Sequence, residues 1–281
     1  MQRKRILLAA SIVAVAALAL LLSRLLGPDA AVAPPKPVLA KPAPAEQGEE
    51  VPPPAPRPPA ELGAGDNLQL AAPDGAHLPL TLWRGRSNHA PVVLFVAATD
   101  EDAAAWLPVL RTLRSARDTT LAVLWTQPEA GRSAPPIPDP VARKSHEQAR
   151  IAFVLTSLRQ RLHNPEAALA LVASSDAAGA VLAAAAADPQ VRATALVAPV
   201  LPEADREGLE VLDNMAQRQV FLVFAQDDAR VAASVQLLQG RLRTLRVAQQ
   251  PGQAHGVALL RERSVRSDLT GWLFAVLGPR G

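Results

Sequence analysis

Apolar residues in this chain fall into two alternating rhythms from about residue 67 onward. Short, nearly continuous apolar runs occur at 91–96, 120–125, 169–172, 193–197, 219–225 and 245–248. Runs of that length, bounded by Gly, Pro, Asn or Asp, read as strands, and the fully apolar ones as strands buried on both faces. Between them lie segments whose apolar residues recur at three and four positions. Trp106, Leu107, Leu110 and Leu113 share one stripe of a helix over 102–114, and Ile151, Val154, Leu155, Leu158 and Leu162 share a face of a helix over 141–162. An alanine-rich helix ends before Pro189, and further helices are predicted over 207–215, 231–242 and 267–277. Ahead of these, 67–71 and 78–83 flank Pro73-Asp74-Gly75 and read as a β-hairpin. Strands alternating with helices imply an α/β fold with a mainly parallel central sheet and helices on both faces. There is no internal repeat.

The N-terminal quarter follows neither rhythm. Arg3, Lys4 and Arg5 precede an uncharged apolar run over 6–23. At 1.5 Å per residue such a run spans a bilayer core of about 30 Å. The basic cluster predicts an N-terminus in the cytoplasm and the rest of the chain in the periplasm or another extracytoplasmic space. A single-pass signal anchor over 1–27 is therefore expected. A cleaved signal peptide is the alternative: Ala31-Val32-Ala33 offers a small-x-small site, although the apolar run exceeds the usual 7–15 residues. Over 28–62 proline is so frequent that the segment cannot bury enough surface to fold, and a disordered, extended linker is predicted. The remaining residues, 63–281, form the globular domain.

Composition removes several functional classes. The 281 residues contain no cysteine, which excludes a disulfide framework and a thiolate metal site. The formal charge is only +3, and the arginines are interspersed with acids rather than gathered with aromatics. That pattern does not fit a nucleic-acid surface.

The most distinctive stretch is LALVASSDAAGAVL, beginning at Leu169. An apolar strand meets a cluster of small residues and passes without a spacer into a helix. A serine at the apex of such a turn needs small residues two positions either side, so that strand and helix can approach. Ser175 has Ala173 and Ala177 there, whereas Ser174 would have Val172 and Asp176. Ser175 is the better candidate nucleophile. The same Ser-Ser-Asp turn also fits a plain helix N-cap.

Taken with its surroundings, the domain resembles the α/β hydrolases, and within them the compact, capless branch of dienelactone hydrolases and small esterases. The resemblance covers nearly everything from Asn67 to the end. Leu70-Ala71-Ala72-Pro73-Asp74-Gly75 is similar to the family's leading hairpin, and Phe95-Val96-Ala97-Ala98-Thr99 stands where an apolar strand ends in His-Gly. Trp106 occupies a common helix tryptophan position. Pro128-Glu129-Ala130-Gly131-Arg132-Ser133 resembles the loop after the fourth strand. Phe221-Leu222-Val223-Phe224-Ala225-Gln226-Asp227-Asp228 places an acid past a late strand, and Pro251-Gly252-Gln253-Ala254-His255-Gly256 resembles the final His-Gly loop. The family's spacing selects Asp228 over Asp227.

The resemblance implies a triad of Ser175, Asp228 and His255, with backbone amides of Asp176 and of Thr99 or Ala98 facing the oxyanion. It further implies acyl transfer on a small ester-like substrate, without cofactor or metal. The capless form is suggested because 199–219 holds only one short helix. His77 and His89 fall near strand ends, and His163 follows a helix. His146-Glu147 begins like H-E-x-x-H, but Arg150 stands in the second histidine position, so a zinc site is not expected. Two further readings stay open. Ala97, Ala98, Ala173 and Ala177 replace family His or Gly residues, which fits a catalytically inactive binding or scaffolding protein of the envelope. Alternatively, the proline-rich tether is itself the functional part.

Overall fold

The computed structural model describes residues 62–63, 65–97, 100–116, 118–125, 140–201, 210–215 and 218–278. Eight strands form one sheet: β1 (Asp66–Ala71), β2 (His77–Trp83), β3 (Val92–Ala97), β4 (Thr120–Trp125), β5 (Leu169–Ser174), β6 (Val191–Val197), β7 (Gln219–Ala225) and β8 (Leu245–Gln250). Their spatial order is β1-β2-β4-β3-β5-β6-β7-β8. The strands from β3 to β8 run parallel, while β2 is antiparallel to both of its neighbours. The helices are α1 (Asp100–Ala116), α2 (Pro140–Leu162), α3 (Ala177–Ala187), α4 (Glu210–Asp213), α5 (Ala232–Arg241) and α6 (Arg263–Leu277).

The α/β architecture expected from the two rhythms is the one observed. β3, β4 and β5 are buried along their whole length, as apolar runs covered on both faces must be. Helix α1 packs against α6, and α2 packs against α3. Phe95 on β3 meets Trp106 on α1 with ring centroids 5.3 Å apart, a tilted aromatic contact in the core. Helix α3 has no polar face at all, and Ala177 through Ala185 are buried. Its small side chains let it lie close to the sheet while α2 and α4 cover its other sides.

The strand order decides where a site can form. The chain steps from β3 outward to β4, then returns through α2 to β5 on the other side of β3. At such a reversal the connections leave in opposite directions and open a crevice beyond the carboxyl ends of the strands. The register sets Val96 beside Ala173, and Ser174 beside Val197, so the ends of β3, β5 and β6 lie level.

Several boundaries differ from the sequence reading. The helix predicted over 267–277 begins at Arg263 and is preceded by a 3-10 turn, Gly256–Arg261. The charges of Arg261, Glu262, Arg263 and Arg266 obscure that start, whereas Leu259, Leu260 and Val265 are buried and hold it down. β8 runs two residues further than its apolar pattern, because backbone pairing with β7 continues to Ala225↔Gln250. Of the helix predicted over 207–215, the described part is α4. The predicted anchor over 1–27 and the linker before Leu62 lie outside the described residues. Leu62 itself is buried in the core. Among the described residues no helix is long and apolar enough to cross a membrane.

Candidate active site

Ser175 sits on the turn between β5 and α3 with φ of +49°, a left-handed conformation costly for any residue with a Cβ. Three backbone hydrogen bonds hold it there. The Ser175 amide donates to Val197 O at 3.1 Å, and its carbonyl accepts from Val200 N at 3.0 Å and Ala178 N at 3.3 Å. The elbow is thus pinned both to the end of β6 and to its own helix. Ala173 and Ala177, in the places usually held by glycine, have no positive φ. Glycine's conformational freedom is not required at either position, only small volume, and both alanines are buried in the core. Ser174, the competing serine, ends β5 with its side chain buried.

The structure brings the other two residues to this turn from different strand ends. Ser175 Oγ lies 3.1 Å from His255 Nε2, and His255 Nδ1 lies 2.5 Å from Asp228 Oδ2. Burial by itself would raise the Asp228 carboxyl. The hydrogen bonds from His255, from the Arg230 guanidinium and from the Arg230 amide outweigh it and hold Asp228 below the ordinary carboxylate value. An ionised carboxylate only accepts, so His255 Nδ1–H donates to it. In the neutral imidazole Nε2 is then an acceptor, and the Ser175 hydroxyl donates to it.

The loops carrying these residues are tied together. Gln226 N donates to Gln250 O at 2.8 Å and Asp227 N to Gly252 O at 3.0 Å, so the acid loop after β7 and the histidine loop after β8 run as a pair. Asp227 is exposed, whereas Asp228 turns inward and is 5% exposed. Gly256 follows His255 with φ of +55°, and a Cβ there would stand 2.9 Å from Ser175 Oγ. Glycine is favoured at 256 on both counts.

Of the backbone donors anticipated for an oxyanion, Asp176 N lies directly after the serine and donates to no described residue. Ala98 and Thr99 lie outside the described residues, as does the loop 128–133. Ala97 ends β3 beside the elbow. The remaining histidines stand away from this site. His77, His89 and His163 are exposed, and His146 Nε2 pairs with Asp74 Oδ2 at 3.0 Å, alongside Arg150. Among the described residues no group of three or more His, Asp or Glu side chains could hold a metal ion.

Arg230 joins the site without a local sequence motif strong enough to mark it. It follows Asp228 by two positions, and its amide and Nε both donate to Asp228 Oδ1, at 3.2 and 3.1 Å. An Asp whose side chain bonds the amide two residues on is a common turn, so the motif D-x-R carried only a weak signal.

An α/β serine hydrolase homologue from Coxiella burnetii superimposes with a TM-score of 0.57 at 13% identity, over 74% of this chain and 97% of that one. A dienelactone hydrolase from Anabaena variabilis gives 0.54 at 15% identity, over 75% and 96%. The fold is that of the α/β hydrolases. The esterase domain of a Rhodothermus marinus protein shares this hydrolase fold, with a TM-score of 0.54 at 15% identity, covering 76% of this chain and all of that domain. No protein-family model and no curated protein matches the sequence. In this chain Ser175 lies on the elbow after β5, Asp228 in the loop after β7 and His255 in the loop after β8.

Proposed function

We propose that the chain is a serine hydrolase of ester bonds, a carboxylesterase or related acyl hydrolase. The observation that carries this reading is the unbroken hydrogen-bonded relay from Ser175 through His255 to Asp228, built on three separate strand ends. His255 takes the Ser175 proton as Oγ attacks the carbonyl carbon, and Asp228 holds the tautomer and stabilises the imidazolium. His255 then returns the proton to the departing alcohol. Water, deprotonated in turn by His255, releases the acyl group and restores the serine. The Asp176 amide, with a second donor from Ala98 or Thr99, stabilises the oxyanion; each such donor is worth about a hundred- to a thousandfold in rate. The names of two similar structures, an esterase domain and a dienelactone hydrolase, favour a small ester-like substrate.

The proposal extends to location: the segment 1–27 anchors the chain in a membrane, and the linker holds the hydrolase domain on the extracytoplasmic side. Fractionation and protease protection of the full chain test this part, and a domain recovered in the soluble cytoplasmic fraction refutes it. The activity is tested by incubating the full chain with a fluorophosphonate probe beside Ser175→Ala and His255→Ala. Labelling of the parent that both substitutions abolish is the expected outcome. Folded parent that stays unlabelled refutes the hydrolase reading and favours a binding or scaffolding role.

A further inference from the structure

We propose that Arg230 is a positioning residue of the triad, which clamps one oxygen of Asp228 so that the other is committed to His255. The inference rests on the serine-hydrolase reading and goes beyond its three residues. Asp228 divides its two oxygens cleanly. Oδ2 faces His255 Nδ1 alone, whereas Oδ1 receives two donors from the same residue, the amide and Nε of Arg230. A carboxylate held at one oxygen only by the imidazole could rotate about its Cβ–Cγ bond and offer either oxygen, with loss of aim at each turn. The fork from Arg230 removes that freedom.

The arginine is placed for this and for little else. Its side chain is 61% exposed, so it contributes little to the core, while its partner carboxylate is 3% exposed. The pair thus joins an exposed arginine to a buried acid. Ordinary surface ion pairs leave both partners in water and contribute little. Here the acid is fixed by its role under His255, and the guanidinium reaches it from the solvent side. The backbone does the rest. Asp228 N donates to Ala225 O and Val231 N to Asp228 O, at 3.2 and 3.3 Å, so a tight turn brings Arg230 over the carboxylate it clamps. A charged donor on Oδ1 also keeps the carboxylate ionised, the state in which it can only accept from the imidazole.

The test measures the second-order rate of fluorophosphonate labelling at Ser175, on the full chain, for the parent, Arg230→Ala, Arg230→Lys and Arg230→Met. The alanine and methionine variants keep the amide donor to Oδ1 but lose Nε, and should label about tenfold more slowly, as expected for a small misplacement of the general base. Their melting temperatures should fall only modestly, because the His255 ring and the amide of residue 230 still hold the buried carboxylate. Added guanidinium ion at low millimolar concentration should restore part of the rate to Arg230→Ala and leave the parent unchanged, and Arg230→Lys should retain more activity than Arg230→Met. A purely structural role would yield neither rescue. Labelling of Arg230→Ala within twofold of a reactive parent overturns the proposal. So does a slow variant that neither guanidinium nor lysine rescues. A folded parent that is never labelled overturns the underlying hydrolase reading and this proposal with it, an outcome separate from the other two.

Discussion

Replacing Gly256 by alanine places a methyl group against the reactive oxygen and nowhere else. The added Cβ would stand 2.9 Å from Ser175 Oγ. An ordinary carbon contact is about 3.5 Å, so the two atoms must separate by roughly 0.6 Å. The Ser175 to His255 hydrogen bond is already 3.1 Å long, and a retreat of that size along the same line would carry it to about 3.7 Å, outside hydrogen-bonding range. Either Oγ turns to another rotamer and leaves Nε2, or the loop backs away and takes His255 with it. Both break proton transfer, and displacement on this scale costs about a hundredfold in rate. The substitution also puts a Cβ on a residue with φ of +55°, which adds about 1–2 kcal/mol of strain. For a domain of this size that lowers the melting temperature by about 2–8 °C. The assay is fluorophosphonate labelling of Gly256→Ala beside the parent, with a thermal melt of each. The expected result is a folded protein, slightly less stable, that labels about a hundredfold more slowly. Labelling within threefold of the parent would refute the reasoning, because it would mean that the nucleophile does not depend on the empty space beside Gly256.

Other substitutions probe the strain, the alanines and the acid. Ser175→Gly relieves the left-handed strain that Ser175→Ala retains, so it should melt about 2–4 °C above the alanine variant while both stay unlabelled; equal melting temperatures would show that the elbow stores no strain. Ala173→Gly and Ala177→Gly should label no faster than the parent and lose roughly 0.5–1 kcal/mol of stability each, since neither position needs a positive φ; a faster variant would show that the alanines distort the elbow. Asp228→Asn should lower labelling by about ten-thousandfold through the wrong imidazole tautomer, and retention of a tenth of the parent rate would count against the triad. The folded-state pKa of Asp228 is depressed, so its contribution to stability is present above the unfolded value of 3.8 and is lost as pH falls through the lower folded value. The difference in melting temperature between the parent and Asp228→Asn should therefore be largest near neutral pH and shrink as pH drops below 3.8; a constant difference would contradict the shift.

Much of this protein was decided by local sequence. Each strand was readable to within two residues, because its apolar run is short, continuous and bounded by turn residues, and the hairpin followed from Pro73-Asp74-Gly75. The preference for Ser175 over Ser174 rests on the sizes of the residues two positions away, and that for Asp228 over Asp227 on the spacing of the family that the chain resembles. These are short-range properties, which the chain carries wherever it folds.

What the tertiary structure alone decided is how those residues meet. Ser175 and His255 are 80 positions apart, and their 3.1 Å contact depends on the order of the strands that carry them. The pairing of the loops after β7 and β8 is likewise invisible in sequence, since it uses backbone amides of Gln226 and Asp227 that any residues would supply. Nothing local distinguishes Arg230 from the other arginines, and only the fold sets its guanidinium on a buried carboxylate. The burial of Leu259 and Leu260 beneath a charged segment was hidden in the same way. In each case local pattern records what a residue prefers, and only the assembled sheet sets which distant group stands close enough to satisfy it.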